Sequence, residues 1–449
     1  MANFERVFDE IFDSIKEKSE LKSINKAKSF SFEHADVETI NEAFDNLPEG
    51  PQEEYILQKQ IRPYFGREGV NEEPIGTPPD FVCLEGTNNR KEQYTCTLFV
   101  DIKGSTRLSL LYPLDFVFTF KNAVIQACVE VIRAFDGHVH RLMGDAVMAF
   151  FGQSSKVKED AVADAINCCI TLRAILEESI KPWMAREGLE SKDFGFRVGC
   201  DFGNDNEVLW GSFGYHNVGE VSATGLPVDM ASKLQSLAGK NQTMLGQGLL
   251  DFVNWPAKYS DVKKNSKDEE FPFVSPNITD KNGNSLNYEM KQLSYEKCIE
   301  FSALPISFRE KINTSVISNP EIQFSCFTDV NGNKEKYISA TRYLEREISL
   351  SFEVKAKTSN RLSFPLKAIF IKSNHGIDVP EDERDIENEG IIKYIHKKTA
   401  SEFNRSILPF STVKIPEYTY YRGLHTMKCE VFDFNEVKIF CDWIGVMIK

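Results

Sequence analysis

Two aspartates that each accompany an apolar, strand-like run are the residues best placed to do chemistry in this sequence. Asp101 ends the run Leu98-Phe99-Val100, and Asp145 follows Met143-Gly144 further along the chain. Two carboxylates brought side by side form an oxygen-only site for hard divalent cations, which keep water ligands and bridge substrate phosphates. The turn Gly104-Ser105-Thr106 suits a tight loop into a helix, whose free N–H groups attract phosphate. Metal ligands beside a phosphate loop predict nucleotide chemistry.

The elements that must position these residues can be read from hydrophobic periodicity. We predict a strand from Tyr94 to Asp101, a long helix after Pro113, and two strands that meet at the Gly144-Asp145 turn. The two strands are His138–Met143 and Ala146–Phe151, and the later elements are a helix over Glu159–Glu178, strands near Phe196–Phe202 and Val208–Phe213, a helix near Pro227–Ser236 and a strand at Gln242–Leu245. The β-α-β-β-α-β order predicts an α+β, ferredoxin-like core with an antiparallel or mixed sheet.

At these motifs the chain resembles the class III nucleotidyl cyclases. The family signature is an F-x-D-I-x-G-[ST/F] strand end and a later G-D-x-x-[MV]-A hairpin, which here read Phe99–Ser105 and Gly144–Ala149. The resemblance covers roughly residues 94–250. It implies an enzyme that cyclises a nucleoside triphosphate to a 3′,5′-cyclic monophosphate and releases pyrophosphate.

The resemblance also implies two Mg²⁺ or Mn²⁺ ions per active site. Asp101 and Asp145 would be their ligands, with the Ile102 carbonyl as a further one. One ion lowers the pKa of the ribose 3′-hydroxyl while the second neutralises the phosphates. We expect the backbone of Lys103–Thr106 to hold the β- and γ-phosphates. The alternative interpretation, in which the two aspartates only cap turns, is weakened by their pairing.

A third motif, Gly225–Lys233, aligns with the family helix G-x-x-V-N-x-A-x-R, whose Asn positions the ribose and whose Arg stabilises the charged phosphorane. This chain has Asp229 in place of Asn and Lys233 in place of Arg. Lysine still supplies a cation but lacks the planar fork of arginine, and an ionised aspartate can only accept hydrogen bonds. Lys233 is therefore predicted to keep a transition-state role, and the role of Asp229 stays open. The alternative is an ordinary amphipathic helix.

Base selection in this family depends on two further positions. Adenylyl cyclases carry Lys four residues before the second metal Asp and Asp three residues before the Gly of the helix motif, and guanylyl cyclases carry Glu and Cys. Arg141 and Ser222 occupy these positions here, which matches neither set. The chain is thus similar to the Pycsar antiphage cyclases, which make cyclic CMP or cyclic UMP. Arg141 would donate to a pyrimidine carbonyl; the alternative is a strand arginine in a salt bridge.

These observations predict a pyrimidine nucleotide cyclase, with CTP preferred to UTP because the C-terminal region resembles the cytidylate-making branch. The resemblance further implies a homodimer in which the metal site of one subunit meets the Lys233 helix of the other. The product would activate a separate cyclic-nucleotide-responsive effector in antiphage defence. A purine cyclase with an atypical base site and a nucleotide-binding sensor without catalysis are the alternatives, and retention of both metal aspartates argues against the second.

The amino-acid composition limits which binding partners and which cellular compartment are expected for the chain. A net charge of −14 argues against a nucleic-acid partner, which needs a basic surface. The ten cysteines are scattered without metal-type spacing, which fits a reducing cytosol. No run of 18 apolar residues and no signal peptide is present, so we predict a cytoplasmic protein without direct membrane insertion.

His138 and His140 lie two positions apart, on one face of a predicted strand. That spacing can bind zinc, but no Cys or acidic partner stands at ligand spacing. We interpret both as polar strand residues.

The chain divides into three predicted parts: an N-terminal helical segment and linker (1–90), the cyclase domain (91–315) and a C-terminal α+β domain (316–449). Residues 1–18 form an apolar stripe at helical spacing, which predicts a helix that packs on its own domain or mediates dimerisation. The C-terminal part resembles the AGS-C sensor domain at Lys372–Gly376 and Tyr421–His425, and one helix is predicted in it near Glu387–Ala400.

Overall fold

Asp101 lies on a strand of a mixed, seven-stranded sheet, and Asp145 lies in a turn between two strands of the same sheet. The computed structural model describes residues 4–17, 55–397 and 410–449, apart from 155, 216–217, 266, 275–278, 280, 285 and 360. In spatial order the strands are β3 (His138–Met143), β4 (Ala146–Phe151), β2 (Thr95–Lys103), β5 (Gly195–Gly203), β8 (Gln242–Gly246), β12 (Met290–Leu293) and β9 (Ser260–Asp261). Strands β5 and β8 run parallel, and the other neighbouring pairs are antiparallel. The order β3-β4-β2-β5 is that of a ferredoxin-like core, so the α+β prediction is confirmed.

Helices cover both faces of this sheet. In chain order they are α1 (residues 7–17), α2 (Ile56–Ile61), α3 (Ser105–Leu111), α4 (Leu114–Ala134), α5 (Lys158–Ile175), α6 (Lys181–Arg186), α7 (Leu226–Leu237), α8 (Gln247–Phe252), α9 (Tyr295–Cys298) and α10 (Ile306–Ile312). A π-helical turn, Leu176–Ile180, joins α5 to α6. Short 3₁₀ turns cover Phe4–Arg6, Arg62–Phe65, Pro79–Leu84, Asp205–Glu207 and Ala257–Tyr259. Because apolar residues recur every three to four positions along α4, one of its faces is buried against the sheet.

A separate three-stranded sheet lies beside α7. It consists of β1 (Arg90–Glu92), β6 (Leu209–Tyr215) and β7 (Val218–Thr224), in the order β1-β6-β7. Trp210 of β6 is buried and stacks on Phe81, with ring centroids 3.9 Å apart. Strand β7 was not predicted from the sequence. A two-stranded ribbon of β10 (Lys263–Lys264) and β11 (Glu270–Phe271) completes this part of the fold.

The N-terminal helix packs on the same chain, as the first of its two interpretations predicts. Phe8 is buried in the core with its ring centroid 5.1 Å from that of Trp183, and its amide donates to the Ser179 hydroxyl at 3.0 Å. Phe12 packs tilted on the same tryptophan at 4.6 Å. The apolar stripe of this helix is therefore occupied within one chain.

The C-terminal part is a sandwich of two sheets. The first has the order β14-β13-β16-β19, with β13 (Ile322–Val330), β14 (Asn333–Tyr337), β16 (Ser349–Lys357) and β19 (Phe410–Tyr418). The second has the order β15-β21-β20-β17-β18, with β15 (Tyr343–Leu344), β17 (Leu366–Ser373), β18 (Ile391–Ile395), β20 (Gly423–Phe432) and β21 (Lys438–Ile448). Buried side chains of both sheets, among them Phe352, Phe370 and Val431, form one core.

The helix predicted near Glu387–Ala400 is wrong for the residues that the structure describes. Residues 391–395 form β18, which pairs antiparallel with β17, and residues 398–400 lie outside the described chain. Gly390 has φ +81°, and the following Ile391-Ile392 pair favours extended backbone. The charged residues before Gly390 gave the segment a misleading helical character.

The sandwich and the cyclase region share one hydrophobic core. Tyr343, Leu424 and Trp443 belong to the same buried cluster as the apolar residues of α4 and α5. Two polar contacts reinforce the junction: Asn167 Nδ2 donates to the Ala340 carbonyl at 2.7 Å, and the Tyr343 amide donates to Asp160 at 2.6 Å. The three-part division remains a prediction about the sequence, whereas the packing is continuous across residue 316. None of the described helices is both long and apolar enough to cross a membrane.

Candidate active site

Asp101 and Asp145 are neighbours across the β2–β4 pair. Asp101 lies opposite Ala146, the residue after Asp145, and the Ile102 amide donates to the Asp145 carbonyl oxygen at 3.2 Å. Asp101 is buried near the end of β2, whereas Asp145 is half-buried in the two-residue turn between β3 and β4. Gly144 has φ +68°, the left-handed backbone that such a turn requires. The fold thus brings together the two carboxylates that the sequence singled out.

A third charged residue, Arg197 of β5, lies directly opposite Asp101 in the sheet register. Its Nε donates to Asp101 Oδ2 at 2.8 Å, and its Nη2 contacts the same oxygen. The sequence analysis missed this residue. The only signal was a charged side chain inside the apolar strand Phe196-Arg197-Val198, and its partner depends on a strand register that the sequence alone does not reveal.

The predicted phosphate loop begins where β2 ends. Gly104 has φ +89°, and a Cβ there would lie 2.8 Å from the Asp193 carbonyl oxygen, so only glycine fits. Ser105 starts α3 and is buried, with its hydroxyl hydrogen-bonded to Asp145 Oδ2. Thr106 and Lys103 are exposed. Ser105 therefore orients one carboxylate, while the role of the loop in holding phosphate stays a prediction.

The donor set fits a hard divalent cation. Asp101 and Asp145 each keep Oδ1 without a hydrogen bond among the described residues, and Ile102 follows Asp101 and lies opposite Asp145 across the strand pair. The described residues hold no cluster of three or more His, Cys, Asp or Glu side chains that could bind a metal. Magnesium commonly binds through one or two carboxylates and completes its shell with water and substrate phosphates, so two carboxylates suffice.

The helix motif places its two unusual residues on the exposed face of α7. Asp229 and Lys233 lie one turn apart, and both are exposed. Within the described chain, no ion pair joins Lys233 to Asp101 or Asp145. In the single chain Lys233 is therefore exposed and is not paired with either aspartate.

The base-selecting positions lie on β3 and β7. Arg141 Nε donates to Glu220 Oε2 at 3.2 Å, and Nη2 contacts Oε1, so the arginine forms a salt bridge as the second interpretation predicted. Ser222, two residues beyond Glu220 on β7, is buried. No hydrogen bond between Arg141 and Ser222 is present in the described chain. Glu220 is a second residue that the sequence analysis missed.

Comparisons with known proteins agree with this geometry. The chain is 40% identical over 444 residues to a cytidylate cyclase of Escherichia coli, a match that covers 96% of this chain and 97% of the relative. The chain belongs to the cytidylate cyclase family. A cytidylate cyclase of Staphylococcus aureus is 32% identical over 461 residues, covering 100% of this chain and 97% of that protein. These matches confirm the class III cyclase resemblance and identify the chain as a nucleotide cyclase.

Two further comparisons concern parts of the cyclase. The family model described as the adenylyl/guanylyl and SMODS C-terminal sensor domain matches residues 294–449, a stretch that includes α9, α10 and the sandwich. Among solved structures, the adenylyl cyclase CyaB of P. aeruginosa covers 46% of this chain and 94% of its own, at 19% identity and a TM-score of 0.37. The AGS-C resemblance of the C-terminal part is therefore confirmed.

Exposed apolar side chains lie on the elements that carry or flank the cyclase site. They are Leu110, Leu111, Leu114 and Phe118 on α3 and α4, Leu142 and Met143 on β3, Phe213 on β6 and Leu226 on α7. Clustered exposed apolar residues mark interaction surfaces in soluble proteins.

Proposed function

We propose that this cyclase converts CTP to 3′,5′-cyclic CMP and pyrophosphate with two Mg²⁺ or Mn²⁺ ions held by Asp101, Asp145 and the Ile102 carbonyl. The observation that carries the proposal is the juxtaposition of the two carboxylates, each with a free oxygen, beside a glycine-bounded loop. Identity of 32–40% with two cytidylate cyclases supports CTP as the substrate. The unusual Arg141 and Ser222 at the base-selecting positions agree with a base other than adenine or guanine.

The reaction is an intramolecular displacement at the α-phosphorus. The ribose 3′ oxygen forms a bond to that phosphorus, the bond to the oxygen bridging the β-phosphate breaks, and the hydroxyl proton passes to water. Bound metal ions supply a lower pKa for the 3′-hydroxyl and charge neutralisation for the leaving pyrophosphate. Ser105 fixes the orientation of the Asp145 carboxylate, and Arg197 places a guanidinium beside Asp101 where the triphosphate carries its charge.

We further propose a homodimer with two composite sites. Lys233 is exposed and makes no ion pair with Asp101 or Asp145 in the described chain, so a second copy would supply the cation that stabilises the phosphorane. Asp229, one turn earlier, accompanies it and would accept a hydrogen bond from a ribose hydroxyl. The exposed apolar residues around the site would be covered in such a dimer, which agrees with their number on α3, α4, β3 and α7.

The product is proposed to be a second messenger in antiphage defence that activates a separate effector, with the AGS-C domain controlling the cyclase. All ten cysteines are free thiols, which agrees with action in the reducing cytoplasm. The supporting observation for control is that the sensor-type domain shares a core with the cyclase region.

Incubation of the purified chain with each of the four ribonucleoside triphosphates and Mn²⁺ tests the proposal. Cyclic CMP and pyrophosphate in equal amounts are expected from CTP, with less product from UTP. Conversion of ATP or GTP alone would show a purine cyclase with an atypical base site. Binding of a nucleotide without any product would favour the inactive sensor, for which the departures at Asp229 and Lys233 are the argument.

A further inference from the structure

A β-bulge places the Arg141 side chain on the face of the sheet that packs against β6, β7 and α7. In the β3–β4 pair Val139 lies opposite Ala149, but Arg141 lies opposite Met148, so His140 is an extra residue. Simple alternation would put Arg141 on the face of Val139, which is buried against the helices. The bulge turns Arg141 to the opposite face, where Met148 packs with residues of β6, β7 and α7.

Arg141 contacts Glu220 through the Nε and Nη2 side of its guanidinium, which leaves other N–H groups of the arginine available to a ligand. The pair uses Nε and one Nη2 hydrogen on the arginine and both carboxylate oxygens on the glutamate. Among the described residues, the second Nη2 hydrogen and the Nη1 group have no further partner, and neither do the outer lone pairs of the carboxylate. The side chains are 43% and 36% exposed, so a ligand can reach both.

His140, which lies beside Glu220 on its buried side, does not donate a hydrogen bond to the Glu220 carboxylate. His140 is 2% exposed, and its Nδ1 donates to the Gly76 carbonyl oxygen at 2.9 Å. Burial lowers the pKa of this imidazole, so Nε2 carries a lone pair at neutral pH. That nitrogen lies 3.8 Å from Glu220 Oε2 and has no hydrogen-bond partner in the described chain. The outer side of the carboxylate is therefore free to accept from a substrate.

We infer that Glu220 is a base-reading residue that acts with Arg141: its carboxylate accepts from the exocyclic amine of cytosine, and the guanidinium donates to N3 and O2. This inference rests on the proposed function. The Watson–Crick edge of cytosine presents one donor followed by two acceptors. The salt-bridged pair presents one outer carboxylate lone pair followed by two N–H groups of the same guanidinium edge, which is the complementary order.

Other bases satisfy fewer of these groups. Uracil places a donor between two acceptors, so one of its carbonyls would face the carboxylate. Adenine offers one donor and one acceptor and leaves an N–H without a partner. Guanine would need two carboxylate oxygens directed at the base, but both oxygens of Glu220 already face Arg141. Cytosine is the base that uses the pair as the structure holds it.

The test compares kcat/KM for CTP and UTP in the full chain. Glu220→Gln should lower the CTP-to-UTP ratio by about tenfold or more, because the glutamine amide can donate to O4 of uracil whereas the carboxylate can only accept. Glu220→Ala should lower turnover of CTP without a gain for UTP. The matched control is Glu430→Gln, which removes a carboxylate paired with Lys438 at 2.6 Å in the C-terminal sandwich and should leave the ratio unchanged.

The readout separates recognition from structure. If Glu220 only supports the hairpin, Glu220→Gln will lower both rates equally, and an unchanged ratio overturns the inference. If that variant does not fold, Glu220→Asp replaces it, because aspartate keeps the charge but holds the carboxylate further from the base. The CTP-to-UTP ratio of kcat/KM must then fall in Glu220→Asp, and an unchanged ratio overturns the inference. Wild-type preference for UTP or GTP would also overturn it. Absence of any cyclic CMP from the wild-type chain would instead contradict the proposed function itself.

Discussion

At the scale of single residues, the decisive feature is the pair of carboxylates, Asp101 and Asp145. Asp101→Asn and Asp145→Asn should each abolish cyclisation, since each removes a proposed charged metal ligand worth several kcal/mol of transition-state stabilisation. Neither side chain contributes to an apolar core, so both variants should still fold. Asp101→Asn weakens the contact with Arg197 and should lower the free energy of unfolding by no more than the Arg197→Met change described next. Turnover close to wild type by either folded variant would contradict the metal site.

Arg197 gives a metal-dependent prediction that does not rely on activity. Without divalent ions, Arg197→Met leaves the Asp101 carboxylate without its guanidinium partner, and we expect a loss of about 1–3 kcal/mol in the free energy of unfolding. Mn²⁺ should restore more stability in this variant than in the wild type, because the ion takes over the lost positive charge.

The measurement is urea unfolding with and without Mn²⁺. Arg186→Met is the matched control, since it breaks a partly exposed pair with Asp9 that involves neither aspartate. Equal stabilisation by Mn²⁺ in all three proteins would argue that the ion does not bind at Asp101.

At the scale of elements, α7 carries an exposed cation, Lys233, which we propose acts on the metal site of a second copy. Lys233→Ala and Asp101→Asn should each be inactive alone, and a mixture of the two should regain part of the activity. In a mixed dimer one composite site keeps both Lys233 and Asp101, so up to about a quarter of wild-type activity is expected for random exchange of two equally populated subunits with independent sites. Subunit exchange is verified first with differently tagged chains; exchange without recovery would contradict a shared site.

Elements with strong local signals were predictable from the sequence. The strands β3 and β4 were placed at their observed ends because apolar alternation and the Gly144-Asp145 turn agree. Strand β7 was missed because Gly219 and Ser222 weaken its β-character, and its stability comes from pairing with β6.

Contacts between elements were not predictable in the same way. The salt bridge of Arg197 with Asp101 depends on the β2–β5 register, and the aim of Arg141 depends on a bulge. Neither the strand register nor the bulge can be recognised from the spacing of residues in the sequence. Thus the sequence located the two aspartates, but the partners that tune them are set by tertiary structure.

At the scale of the whole molecule, cyclase and sandwich should unfold together. Trp443 of β21 is 7% exposed and belongs to the core shared with α4 and α5. Trp443→Ala should therefore cost about 3–5 kcal/mol and shift a single transition seen by probes in both regions. Phe434→Ala is the control, since that side chain is 67% exposed and its loss should change stability by less than about 0.5 kcal/mol. Two separate transitions, with only one shifted, would contradict a common core.

The continuous core has a consequence for synthesis of the chain. Every proposed catalytic residue precedes β21 in the sequence, yet Trp443 and Met447 of that strand complete the packing around the cyclase helices. During translation the catalytic motifs therefore leave the ribosome before the C-terminal residues that complete their hydrophobic core have been synthesised. Premature termination within the sandwich is then expected to yield a substrate for proteolysis and not a cyclase released from its sensor. Under the proposed function, the active cyclase is therefore made only together with the AGS-C domain that would control it.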